Sequence, residues 1–216
     1  SALTPALEAE VRSFLDAGAR VDGHGACVQF CTSINFRPSM RCWFLSRKDS
    51  GALSAVMSVL APNPDEIEVS CLVAPETRRR GLFRALLAGA LSEARGFGYA
   101  KALLPAERAS PTGRAAALAV GASETPDHTE YEMTFRGNLF SLSCGDSLVV
   151  RRAVPSDRDA MVAAQAAIFG ESPETAANWT DSRFASTDWT QYLALREGTV
   201  VGACAVHREE IGRAHV

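Results

Sequence analysis

Residues 69–87 read Val-Ser-Cys-Leu-Val-Ala-Pro-Glu-Thr-Arg-Arg-Arg-Gly-Leu-Phe-Arg-Ala-Leu-Leu. The residues leading in alternate: Ile67, Val69, Cys71 and Val73 share one face of a strand, and Glu68, Ser70 and Leu72 the other. Pro75 ends that strand. From Arg79 the period becomes helical, with Leu82, Phe83, Leu86, Leu87, Ala90, Leu91 and Ala94 in one stripe. Gly96 and Gly98 stop the helix. A buried strand therefore runs through an arginine-rich turn into a long helix that opens at Gly81. The first N–H groups of a helix lack partners and carry the positive dipole end, which suits phosphate oxygens. Gly81 permits close backbone approach. Arg78, Arg79, Arg80 and Arg84 can add charge and forked hydrogen bonds. Without a ligand, the same stretch reads as a solvated arginine-rich helix start.

The flanking sequence supplies a sheet for this unit. Leu7, Val11, Phe14 and Leu15 predict an amphipathic helix over 3–17. Residues 18–40 are expected to hold a short helix and loops. Cys42–Arg47, the polar turn Lys48–Gly51 and Leu53–Leu60 predict a hairpin. Ala100–Leu104 reads as a short strand. Pro111 starts a helix running from Gly113 to Val120, and Tyr131, Met133 and Phe135 alternate within a strand at 129–135. Residues 41–136 thus run β-β-β-α-β-α-β, an α/β mixed sheet with helices on its faces. Residues 137–147 read as a linker. Beyond it lie a strand at Leu148–Arg152, a helix over 157–169 with a capping box of Ser156 and Asp159, an irregular stretch at 170–190, and a hairpin of Tyr192–Arg196 and Val200–Val206. That hairpin echoes the first, so the expected organisation is a domain at 1–137 and a partial repeat at 148–210.

Composition bounds the function. Of 216 residues, 47% are apolar and 22% charged, which argues against disorder, and a net charge of −3 argues against a general nucleic-acid binder. No run approaches the roughly 18 apolar residues that span a bilayer. The N-terminal stretch lacks the basic start and apolar core of a signal peptide. Cys27, Cys31, Cys42, Cys71, Cys144 and Cys204 form no CxxC motif and no cluster with histidine, so they read as free thiols of a cytoplasmic protein, with no metal.

The stretch at 69–87 resembles the coenzyme A-binding motif of the GNAT N-acetyltransferases: a strand, a proline, then Arg/Gln-x-x-Gly-x-Gly/Ala at the start of a long helix. Arg78 takes the first place, Gly81 the first glycine, and Phe83 stands where a second small residue is usual. The order of elements over 41–136 also resembles that family's core, and the second half resembles the opening of another copy. A second loop as far beyond Leu195 as Arg78 lies beyond Leu45 would fall past Val216.

The resemblance implies an α/β GNAT fold with acetyl-coenzyme A in a gap between the strands at 67–73 and 100–105. Its pyrophosphate would meet the amides of residues 79–84, including Leu82 and Phe83, and its pantetheine arm the backbone of Cys71, Leu72 and Val73. An acceptor amine would attack the thioester directly. Glu68, with Glu66 behind it, is the implied base; the bland reading of both is solvated carboxylates. The tyrosine that often protonates the leaving thiolate is missing, with Ala117 nearest its place. Tyr131 is then the candidate donor, against a reading as a core residue. Glu107 and Ser110 are placed to touch cofactor or acceptor, while His24 and His128 read as surface histidines. A module that binds acyl-coenzyme A without turnover is the competing class.

The acceptor is expected to be a small polycationic amine, first of all an aminoglycoside antibiotic, with a polyamine or a peptide N-terminus as alternatives. Asp65, Glu66, Glu68, Glu130 and Glu132 would attract several ammonium groups if they lined one cleft. Ile211–Val216 can be encoded by DNA that reads through a widely used sequencing adapter into a stop codon. That points to a non-native tail on an environmental sequence, and resistance is a phenotype through which such a sequence is found. Exposed edges in a partial repeat favour a homo-oligomer.

Overall fold

The computed structural model describes residues 3–25, 28, 30, 34–108, 110–124, 148–187 and 189–207. The chain divides into two units, Ser1–Glu124 and Thr125–Val216.

In the first unit, Thr4 caps helix α1 (Pro5–Asp22) by accepting from the Leu7 amide, and Gly23 ends it at φ 75°. The helix runs past Gly18, beyond the predicted end at 17. Gly18 is a point of contact rather than a stop: a Cβ there would collide with the tip of Leu72, so the missing side chain lets α1 lie close to the sheet. Strands β1 (Trp43–Arg47), β2 (Leu53–Leu60) and β3 (Glu66–Val73) pair antiparallel, and β4 (Lys101–Leu103) joins β3 in parallel, giving the order β1-β2-β3-β4. Helix α2 (Leu82–Gly96) starts three residues later than the change of period at Arg79 suggested and includes Gly96. Helix α3 spans Pro111–Ala119.

Apolar side chains cover both faces of the sheet. Phe44, Met57, Ile67, Val69, Leu87 and Ala90 belong to one core, which includes the inward stripe of α2. Val11, Cys42, Trp43, Leu53 and Val56 form a second core, on the α1 side. Burial on both sides explains why β2 is an almost unbroken apolar run.

The second unit is a three-stranded antiparallel sheet, β5 (Leu148–Arg152), β6 (Trp189–Arg196) and β7 (Thr199–His207), in that order. Between β5 and β6 come α4 (Arg158–Phe169) and α5 (Pro173–Ala185). Two expectations are corrected. The stretch at 170–190 is largely helical, with Ser172 capping α5 and Pro173 in its first turn. The cap before α4 is not Ser156: the Asp157 carboxylate accepts from the Val154 amide at 2.8 Å and from both terminal nitrogens of Arg151 at 2.7 and 2.8 Å. Ala153, Met161 and Leu193 form the core of this unit, joined by Phe184, Leu195 and Val200. The expected strand at 129–135 and linker at 137–147 lie outside the described residues.

Candidate functional site

Parallel pairing of β3 and β4 covers three rungs, the last being Glu68 with Leu103. Pro105 follows two residues later; it has no N–H to donate, so the ladder cannot be carried further. Beyond that rung, residues 69–73 and Leu104–Glu107 become the walls of a cleft of about 700 Å³. Its size is typical of a small-ligand site.

The loop after β3 is pinned at several points. Pro75–Thr77 forms a 3-10 turn, with the Thr77 hydroxyl within hydrogen-bond reach of the Ser54 and Ala74 carbonyls. Arg78 Nε donates to the Val73 carbonyl at 3.1 Å, and its two terminal nitrogens donate to Asp22 at 2.9 and 2.6 Å. Arg79 adopts φ 65° and Gly81 φ 83°. Helix α2 then begins with no side-chain cap, and the Ala85 amide returns to the Gly81 carbonyl at 3.0 Å. The amides of Leu82, Phe83 and Arg84 precede that bond and have no partner within the helix. Left-handed residues within such a turn help aim successive amides at one point, the arrangement that binds anions.

The four arginines divide into two pairs. Arg78 is held by Asp22, and Arg84 donates to the Ala119 carbonyl at the end of α3, 2.9 Å away. Arg79 and Arg80 are exposed and make no hydrogen bond to a described residue. Cys71, Leu72, Val73, Arg78, Arg79, Gly81, Leu82, Phe83, Arg84 and Ser110 all line the cleft; Arg80 lies outside its lining. Ser110 is buried and caps α3 by accepting from the Gly113 amide at 3.1 Å.

Burial pushes the Cys71 thiol up to about 12, so it stays protonated at neutral pH and is no nucleophile. The hydrogen bonds from Arg78, with its charge and that of His24, hold the Asp22 carboxyl below the usual range against a smaller burial effect. Glu68 sits on the last paired rung, at the vertex of the fork. Glu66 belongs to the closed end, where it accepts from Lys101 Nζ at 2.7 Å and from Asn63 at 3.0 Å. Tyr131, Glu130, Glu132 and His128 lie outside the described residues. Helix α3 presents Ala115, Ala116, Ala117 and Ala119 to the cleft. Asp22, His24 and Gly25 also line it and were not anticipated; His24, expected as a surface histidine, is half-buried at the cleft wall. The signal for Asp22 was a lone acid ahead of a left-handed glycine at a helix end, which has no meaning until Arg78 is placed beside it.

A GCN5-related N-acetyltransferase from Sphaerobacter thermophilus superposes on this chain with TM-score 0.61 and 16% identity, covering 97% of this chain and 71% of that one. The fold is that of the GNAT N-acetyltransferases. A tandem GNAT protein from the clavulanic acid biosynthesis pathway superposes with TM-score 0.53 and 19% identity over 92% of this chain and 70% of its own. No protein-family model and no curated protein matches the sequence. In the GNAT frame, the cleft lies where the two parallel strands part, beside the uncapped start of α2. Among the described residues, no helix is long and apolar enough to cross a membrane, and no group of three or more His, Cys, Asp or Glu side chains could hold a metal.

Proposed function

We propose that the chain is an acetyl-coenzyme A-dependent N-acetyltransferase. The observation that carries this reading is the position of the unpartnered α2 amides at the mouth of the β3/β4 fork. The cleft supplies what coenzyme A needs. The edge of β3 at Cys71–Val73 that faces no strand can pair with the pantetheine amides as an added strand would, the Val73 carbonyl also accepting from Arg78. The amides of Leu82–Arg84 can take the pyrophosphate, and the exposed Arg79 and Arg80 add charge. Arg78 and Arg84 support the loop through protein contacts, and Ser110 fixes the start of the opposing helix.

The acceptor amine attacks the thioester carbonyl carbon, the C–S bond breaks, and coenzyme A leaves as thiolate. Glu68, directly or through water, takes the proton lost by the amine, and Tyr131 protonates the sulfur. Cys71 stays out of the reaction because its thiol is neutral. The acceptor we assign is a small polycationic amine, with an aminoglycoside antibiotic first. Glu68 at the vertex and Glu107 on the cleft wall place carboxylates beside the fork, and Asp22 pairs with Arg78 and Glu66 with Lys101.

A second reading, a module that binds acyl-coenzyme A without turnover, is favoured by the alanines Ala115, Ala116, Ala117 and Ala119 that α3 turns to the cleft, where the family often places a tyrosine. A coenzyme A-release assay over aminoglycosides, polyamines, amino acids and peptide N-termini separates the readings. Release with an aminoglycoside supports the full assignment. Faster release with peptides removes only the acceptor. Binding without release from any amine leaves the module.

A further inference from the structure

Arg78 holds the first place of the loop, where a cation would be expected to meet phosphate, but all three of its guanidinium nitrogens are engaged by protein. The pair with Asp22 is two-pronged and sheltered, with 14% of the Asp22 side chain and 30% of the Arg78 side chain accessible. Asp22 is the last residue of α1 and Arg78 the first after the turn that ends β3, so the bond ties two elements that are 56 residues apart. The next residue, Arg79, sits at φ 65°, a conformation that costs free energy for any residue with a Cβ and persists only where its surroundings fix it. Arg78 is fixed on one side by Asp22 and the Val73 carbonyl, and Gly81 supplies a second left-handed turn on the other.

We infer that Asp22 is a positioning residue of the coenzyme A loop: it acts through Arg78, holding the left-handed turn that aims the α2 amides into the cleft. The inference rests on the cleft being the coenzyme A site. Arg78 then contributes shape rather than charge to cofactor binding.

The sign of one measurement decides the matter. Asp22→Asn keeps the side-chain shape and releases the hold on the guanidinium. If Arg78 served phosphate by charge, freeing it would tighten coenzyme A binding. If it serves by shape, binding weakens. Calorimetry should show coenzyme A bound at least fivefold more weakly by Asp22→Asn. In turnover, the KM for acetyl-coenzyme A should rise with little change in kcat. Arg78→Lys, which keeps the charge and loses the clamp, should fail to restore affinity relative to Arg78→Ala. Asp22→Asn combined with Arg78→Ala should be no weaker than Arg78→Ala alone.

Glu10→Gln is the structural control. It breaks another two-pronged bond from α1, to Arg47 on β1 at 2.6 and 2.7 Å, and its residues are absent from the cleft lining. It should leave coenzyme A affinity unchanged. Unchanged or tighter binding by a folded Asp22→Asn protein, rescue by Arg78→Lys, or an equal loss in Glu10→Gln would each overturn the inference. A wild-type chain that binds no coenzyme A would instead remove the reading of the cleft.

Discussion

Gly81 combines two demands that a substitution can separate. Its φ of 83° excludes side chains on conformational grounds, although a Cβ there would meet nothing within 4 Å. Gly81→Ala should therefore cost about 1–2 kcal/mol of stability, the usual penalty for a left-handed L-residue. Gly81→Asp adds a negative charge where the pyrophosphate is to lie. It should lose at least about tenfold in acetyl-coenzyme A affinity, or ~1.4 kcal/mol. Calorimetry on the folded variant with affinity intact would remove the loop from the site. Cys71 makes a prediction in pH. Its thiol is raised by burial from an ordinary 9.0 to about 12, while the unfolded chain ionises near 9. Its contribution to stability is complete below pH 9 and is lost as pH climbs from 9 towards 12. Alkylation mapped by mass spectrometry at pH 8 should modify the exposed Cys204 well before Cys71. Rapid labelling of Cys71 would show the thiol to be accessible and ionised. Much of this site was legible because Gly81 and the arginines carry their chemistry in their identity. What was not legible is how the arginines divide their work, since Asp22 and the Ala119 carbonyl become partners only after folding.

Periodicity located most elements and misjudged those that other forces define. β2 and β5 fall at their expected bounds because an apolar run and a strand rich in β-branched residues have few alternatives. α5 escaped notice because Asn178, Thr180, Asp181 and Ser182 interrupt any apolar stripe. Its start signal, Ser172-Pro173-Glu174, was nevertheless present. Tertiary contacts carry this helix: Phe184 packs on the core of the second unit, and Arg183 lies over the rings of Trp179 and Trp189, 5.0 and 5.6 Å from their centroids. A helix with little intrinsic preference depends on its cap. Ser172→Ala removes the acceptor for the Thr175 amide at 3.1 Å and should destabilise the second unit by about 1 kcal/mol. Thermal denaturation followed by tryptophan fluorescence reads it, since all three tryptophans are known and two flank this helix's arginine. A change within error would mean that packing alone holds α5. The fork between β3 and β4 was readable in part. The resemblance supplied the gap, and Pro105 supplies its physical cause, because the strand meant to continue the ladder cannot donate.

At the scale of the whole chain, two units share a plan and differ in chemistry. Each carries an antiparallel hairpin with a charged or polar turn, β1/β2 in one and β6/β7 in the other. The first adds what a nucleotide-like ligand needs: a third strand, a parallel fourth, and a helix that begins uncapped where those two part. In the second, the described strands pair only antiparallel, so no fork opens among them. Its helices also differ at their starts. The Ser172 hydroxyl already accepts from α5, and Asp157, whose carboxyl Arg151 and the Val154 amide hold at about 2, places a negative charge at the head of α4. That carboxylate and its Arg151 partner already occupy the head of α4, whereas the α2 start has no side-chain cap, no acid in its first turn and three arginines before it. Acetyl-coenzyme A should therefore bind with a stoichiometry of one per chain. Titration calorimetry of the wild type should give a single site, and Gly81→Asp should reduce that one site without exposing a weaker second. The same titration at higher salt should lose affinity, because Arg79 and Arg80 lie in the open and their attraction to phosphate is screened. A stoichiometry of two, or a residual site of unchanged affinity in Gly81→Asp, would place coenzyme A binding in the second unit as well and break the link between the fork and the ligand.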